Sequence, residues 1–201
     1  MRRPLAVAIT GGIGAGKSTA LQAFRRHGAA TVSSDEIVHH LLATDDTVRD
    51  ALVDRLGSQI LGRDDRPDRA AIARIVFRDR DALAFLEQLL HPLVSKEYLD
   101  WREQLGKLDH PPKVCVTEVP LLYEAGGDGR FDRVVVITAP RRLREARRNA
   151  PTDEREQRLL PDREKVRRAD HHYRNVGTEA ELDAWVGDLM ARLSQAAPEK
   201  D

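Results

Sequence analysis

The chain has 201 residues, a length that suits one domain with room for a small inserted subdomain. Lys plus Arg and Asp plus Glu each number 33, so the formal charge is zero, and attraction of the whole chain to nucleic acid or to an anionic membrane is not expected. Hydrophobic residues make up 41% of the chain, enough for a sizeable core, yet no run approaches the ~20 apolar residues that span a bilayer.

Arg2 and Arg3 followed by Leu5-Ala6-Val7-Ala8-Ile9 could imitate a targeting segment. Glycines interrupt the run at once, and it reads instead as a buried parallel strand. It leads into Thr10-Gly11-Gly12-Ile13-Gly14-Ala15-Gly16-Lys17-Ser18-Thr19, which fits the phosphate-loop pattern G-x-x-x-x-G-K-[ST]. The glycines allow the backbone to fold round one anion with its N–H groups turned inward, and the helix that follows adds its positive end. Gly12, Gly14, Ala15, Gly16, Lys17, Ser18 and Thr19 are therefore expected to bind a nucleotide. Lys17 would sit on the β- and γ-phosphates, and the Ser18 hydroxyl would serve Mg²⁺. Ala20, Leu21 and Phe24 recur at helical spacing from Lys17 to His27, and Gly28 stops that helix.

Ala29 to Ser33 reads as a second strand, after which Ser34-Asp35-Glu36 opens a helix carrying Ile37, Val38, Leu41 and Leu42. Asp35 thus falls at a strand's C-terminal end, the edge at which open parallel sheets bind ligands. A capping role accounts equally well for its position. Helical patterns follow over Thr47–Leu56, Arg69–Phe77 and Leu83–Leu90. The pattern is expected to break at His91-Pro92 and to resume from Leu93 to Leu105. Residues 45–108 are too long for a plain crossover and read as a helical subdomain.

Lys113 to Val119 is a third strand with Glu118 near its end, and Arg133 to Thr138 is a fourth. The only cysteine, Cys115, lies in the third strand; it cannot form an internal disulfide, and it reads as a small buried hydrophobe in a protein of the reducing cytoplasm. Residues 141–168 are the most basic stretch. Arg144, Arg147 and Arg148 are candidates for a lid closing on polyphosphate, although a solvated, ion-paired helix face has the same composition. Ala169 to Val176 supplies a fifth strand, and Thr178 caps a last helix. The fold class is α/β: a five-stranded parallel sheet of the phosphate-loop NTPase type, flanked by helices. The nucleotide core would comprise residues 1–44, 109–140 and 166–201, with the lid at 141–165.

Several segments beyond the loop resemble the dephospho-CoA kinase family. They are Asp68-Arg69 with Ile75-Val76-Phe77, Leu90-His91-Pro92-Leu93-Val94, Glu118-Val119-Pro120-Leu121-Leu122-Tyr123-Glu124, and Lys165, Ala169-Asp170, Asn175 and Gly177. The resemblance implies ATP-dependent phosphorylation of the ribose 3′-hydroxyl of dephospho-CoA, with ATP and Mg²⁺ required and a monomer acting on small molecules. It gives Asp35 the acceptor-activating role, and it places Arg69 and His91 near the acceptor, with a structural role as the alternative for either. Glu118, where its strand meets the active-site edge, reads as a contact to Mg²⁺ or to the acceptor, with a surface carboxylate as the alternative. Two features depart from the family. Many members carry D-x-D where this chain has Ser33-Ser34-Asp35, and the lid is short, with Arg148-Asn149 where an Arg-Asp pair is usual. Rival readings are a kinase for another acceptor, a GTP switch, and a loop that binds without catalysing. No N-K-x-D segment supports the GTP switch.

Overall fold

The computed structural model describes residues 3–148 and 159–196. Five strands, β1 (Leu5–Thr10), β2 (Ala30–Ser33), β3 (Val114–Glu118), β4 (Arg133–Thr138) and β5 (His171–Arg174), form one parallel sheet in the order β2-β3-β1-β4-β5. All six residues of β1 and all five of β3 are buried, as strands covered on both faces require. On one face, Leu5, Val7, Ile9, Val116 and Ile137 pack against Leu21 and Phe24 of α1 (Lys17–Arg26) and Leu182, Val186 and Leu189 of α8 (Glu179–Ala196). On the other, Ala8, Val134 and Val136 meet Leu122 and Tyr123. Cys115 is 1% exposed, and burial pushes its thiol up to about 11, which leaves it an inert core residue.

The chain divides into two compact units, one of residues 1–33 and 101–201 that holds the sheet, the other Ser34–Asp100. The second unit contains α2 (Ser34–Thr44), α3 (Asp46–Leu56), α4 (Arg69–Val76) and most of α5 (Arg80–Gly106). Its core is Leu42, Val48, Leu52, Leu56, Ile60, Ile72, Val76 and Leu90. Asp45 and Asp68 cap α3 and α4 by accepting two backbone N–H groups each, which explains where those helices begin.

The break expected at His91-Pro92 does not occur: α5 runs unbroken for 27 residues with Pro92 inside it. Proline removes one i→i−4 hydrogen bond, here the one Gln88 would accept. Gln88 and Pro92 are both on the exposed side, where water can replace the missing donor, while Leu90, Val94 and Tyr98 are buried.

The most basic stretch contributes two described helices, α6 (Arg141–Arg148) and α7 (Asp162–Arg168). The Arg148 side chain and residues 149–158 of the stretch expected to form a lid lie outside the described residues. Among the described residues no helix is long and apolar enough to cross a membrane.

Candidate functional site

The glycine loop joins the C-terminal end of the central strand β1 to α1. Gly11 has φ +145°, and a Cβ there would lie 2.0 Å from the Ile137 carbonyl oxygen, so no side chain fits. Gly16 has φ +101° and precedes α1 without offering a side-chain cap, and no acidic residue occupies the first turn. Neither a capping side chain nor an acidic residue competes at that helix end, which favours an anion.

Lys17 is 8% exposed and its ammonium donates to the Gly12 carbonyl at 3.2 Å, inside the arc of the loop. The Ser18 hydroxyl lies 3.4 Å from Oε1 of Glu118, and Glu118 is itself only 5% exposed. Within the sheet, Glu118 is in register with Ile9 of β1 on one side and Ser33 of β2 on the other. Side chains at matched positions of neighbouring strands stand on the same face. Ser33, two positions before Asp35, thus stands beside a buried glutamate.

Two arginines of α6 lie against the loop. A Cβ at Gly12 would fall 2.5 Å from Nη1 of Arg144 and 3.6 Å from Oδ1 of Asp162. Arg147 donates to the Ala15 carbonyl at 3.4 Å and to the backbone and side-chain oxygens of Asn175 at 3.2 and 3.3 Å. A cavity of about 480 Å³ opens beside them. It is lined by Gly14, Gly16, Lys17, Ser18, Thr19, Arg147, Asn175, Gly177, Glu179 and Leu182.

Lys17, Ser18, Glu118, Arg144 and Arg147 thus come together in the sheet-bearing unit. Asp35, Arg69 and His91 belong to the helical unit, each exposed on a separate helix: the first turn of α2, the first residue of α4 and the middle of α5. Asp35 follows the last residue of β2 by two positions, so the chain itself ties it to the C-terminal edge of the sheet.

Two features had no role in the sequence reading. Lys165 is fully buried and pairs with Glu124 at 2.8 Å. Asn175, 5% exposed, donates to the Ala15 carbonyl at 2.9 Å across 160 positions. The sequence marks both residues as matches to the family but gives neither a role; Asn175 is a polar amide directly after a strand, with Gly177 two positions on.

A phosphate loop on the central strand of a parallel 2-3-1-4-5 sheet, with arginines laid over it, defines the class of phosphate-loop kinases. The family model for dephospho-CoA kinase matches residues 5–181. A dephospho-CoA kinase of Methylococcus capsulatus is 37% identical over 200 residues, covering 96% of this chain and 98% of that protein. The crystal structure of TT1252 from Thermus thermophilus superposes with a TM-score of 0.73 at 30% identity, over 96% of this chain and 99% of that one. The dephospho-CoA kinase from Campylobacter jejuni, at 23% identity, shares the fold with a TM-score of 0.70 over 95% and 98% of the two chains. This chain belongs to the dephospho-CoA kinase family, a family of ATP-dependent kinases.

Proposed function

We propose that the protein transfers the γ-phosphoryl group of ATP to the ribose 3′-hydroxyl of dephospho-CoA, giving coenzyme A and ADP. The observation that carries this reading is the extent of the family match. Residues 5–181 take in the helical unit as well as the loop-bearing sheet, and dephospho-CoA kinases 35 and 37% identical align with 93 and 96% of the chain.

The reading assigns the chemistry as follows. The loop N–H groups and Lys17 hold the β- and γ-phosphates and neutralise charge as the bond to the leaving oxygen lengthens. Asp35 accepts the proton of the 3′-hydroxyl as its oxygen bonds to phosphorus. Arg144 and Arg147 face the polyphosphate from the lid. Arg148 belongs to the same lid helix, and Arg69 and His91 hold the acceptor from the helical unit. Mg²⁺ is suited by the oxygen pair of Ser18 and Glu118, since this ion takes one or two protein oxygens and completes its shell with phosphate oxygens and water. When bound, it would supply Lewis-acid chemistry, drawing negative charge off the transferred group. Glu118 supplies the carboxylate at the edge where Ser33 does not. The reading carries with it a cytoplasmic monomer.

The test is ADP release from purified protein and Mg²⁺-ATP, with and without dephospho-CoA, and with the product identified by mass. ADP formation that requires dephospho-CoA, with coenzyme A produced, is the expected result. ATP binding without acceptor-dependent turnover would overturn the assignment of the acceptor.

A further inference from the structure

We propose that Asn175 is a positioning residue that locks one peptide of the phosphate loop and seats the first lid helix against it; this rests on the reading of the loop as the ATP site. The Ala15 side chain is fully buried, and among the described residues its carbonyl accepts from no backbone N–H. Its partners are two side chains, Asn175 through Nδ2 at 2.9 Å and Arg147 through Nη1 at 3.4 Å. A trans peptide carries its carbonyl and the following N–H on opposite sides. Holding the Ala15 carbonyl toward Asn175 therefore fixes the direction of the Gly16 N–H.

That peptide has little else to fix it. Gly16 is at φ +101°, and a glycine can turn the peptide before it at small cost. A side chain at Gly16 could not help, because its Cβ would lie 2.3 Å from the Asn175 amide nitrogen. Asn175 is itself well anchored: its backbone N–H donates to the Thr138 carbonyl at 2.7 Å at the end of β4. Its side-chain oxygen faces the other way and accepts from Arg147 at 3.3 Å. One buried amide thus satisfies a carbonyl of the loop with its donor and an arginine of α6 with its acceptor. A donor and an acceptor on one planar group set both partners in a single geometry. The loop is then held ready for phosphate, and Arg147 is held at its rim.

The two ends of the amide can be separated. Asn175→Ala removes both contacts. Asn175→Asp keeps the volume and the acceptor toward Arg147 but presents an oxygen to the Ala15 carbonyl. Isothermal titration with Mg²⁺-ATP and steady-state kinetics with each substrate varied provide the readouts, with thermal unfolding as the control on folding. Both variants are expected to weaken ATP binding by about tenfold or more, the size of one lost buried hydrogen bond. KM for dephospho-CoA should stay within about twofold of the wild-type value, since the acceptor does not depend on this peptide. Asn175→Asp is nearly isosteric, so it reports even if Asn175→Ala does not fold. Wild-type affinity in Asn175→Asp would overturn the locking role. A parallel rise in both KM values with a lowered melting temperature would reduce Asn175 to a general packing residue. Wild-type protein that binds no ATP would overturn the reading of the loop itself, and this inference with it.

Discussion

In the proposed reaction Lys17, Ser18 and Glu118 give charge and metal contacts to the transferred phosphoryl group, and activating the hydroxyl acceptor is a separate task. The proposal gives that task to Asp35, an exposed carboxylate two residues beyond β2. A lone carboxylate serves as a proton acceptor, because base catalysis needs one oxygen within reach of the hydroxyl. Asp35→Asn keeps the shape and removes the basicity. It should lower kcat by about two orders of magnitude or more while leaving ATP affinity unchanged. Rapid-quench turnover alongside ATP titration checks this, and an unaltered kcat would take Asp35 out of the chemistry. Single residues differed in how far the sequence revealed them. Gly11, Gly16 and Lys17 could be read directly because a loop round an anion dictates residue types at fixed spacing. Asn175 could not, since its meaning lies in a carbonyl 160 positions away that has no identity of its own in the sequence.

Elements show the same division. Helix starts at Asp46 and Arg69 follow from caps that sit next to them in the chain, and the buried strands follow from apolar runs. The break expected in α5 rests on local rules and does not occur; such rules see Pro92 but not that it and Gln88 lie on the exposed side, or that Leu90, Val94 and Tyr98 are buried on either side of it. Helix α7 carries a second feature that no local rule exposes. Lys165, fully buried, pairs with Glu124 at 2.8 Å, and the same Glu124 oxygen accepts the Leu160 N–H at 2.8 Å. Lys165 is fully withdrawn from water and the Glu124 side chain mostly so, at 14% exposed, so removing the lysine alone leaves a poorly compensated charge next to the buried Leu122 and Tyr123. Lys165→Met should lower the unfolding free energy by about 3–5 kcal/mol. The double variant Lys165→Met/Glu124→Gln should recover much of that loss, because Gln is neutral and still accepts from Leu160. Urea denaturation of the three proteins decides the matter. A loss below about 1 kcal/mol in the single variant would mean that water reaches Glu124 and the pair behaves as an exposed one.

Across the whole molecule, stability should depend on pH in two separate windows. The upper one belongs to β5. Burial pushes both His171 and His172 below the usual imidazole range. Asp170 opposes the shift at His171 while Arg192 and Arg133 add to it; at His172, Asp162 opposes and Arg174 adds. His172 is also fixed, with Nε2 2.8 Å from the Thr138 hydroxyl on β4. For a group whose folded pKa is depressed, the unfolded chain binds the proton first as pH falls. The stability at stake is therefore complete above about pH 6.5, the unfolded value, and is lost as pH falls through the folded values. The lower window belongs to carboxylates held below their usual range: Asp183 by the Arg26 guanidinium, Glu181 by the Thr178 N–H, and Asp68 by the N–H groups of Ala71 and Ala70. Their contribution is present above about pH 4 and disappears below it. Melting temperature should accordingly be flat near pH 7.5, fall on acidification below pH 6.5, and fall again below about pH 4. His172→Gln removes one of the two titrations in the upper window while still offering Thr138 a polar partner, so its profile should be flatter between pH 5 and 7 and still drop below pH 4. Melting curves of both proteins across that range separate the windows. A wild-type profile without a slope between pH 5 and 6.5 would show that the β5 imidazoles are as hydrated in the folded protein as in the unfolded chain.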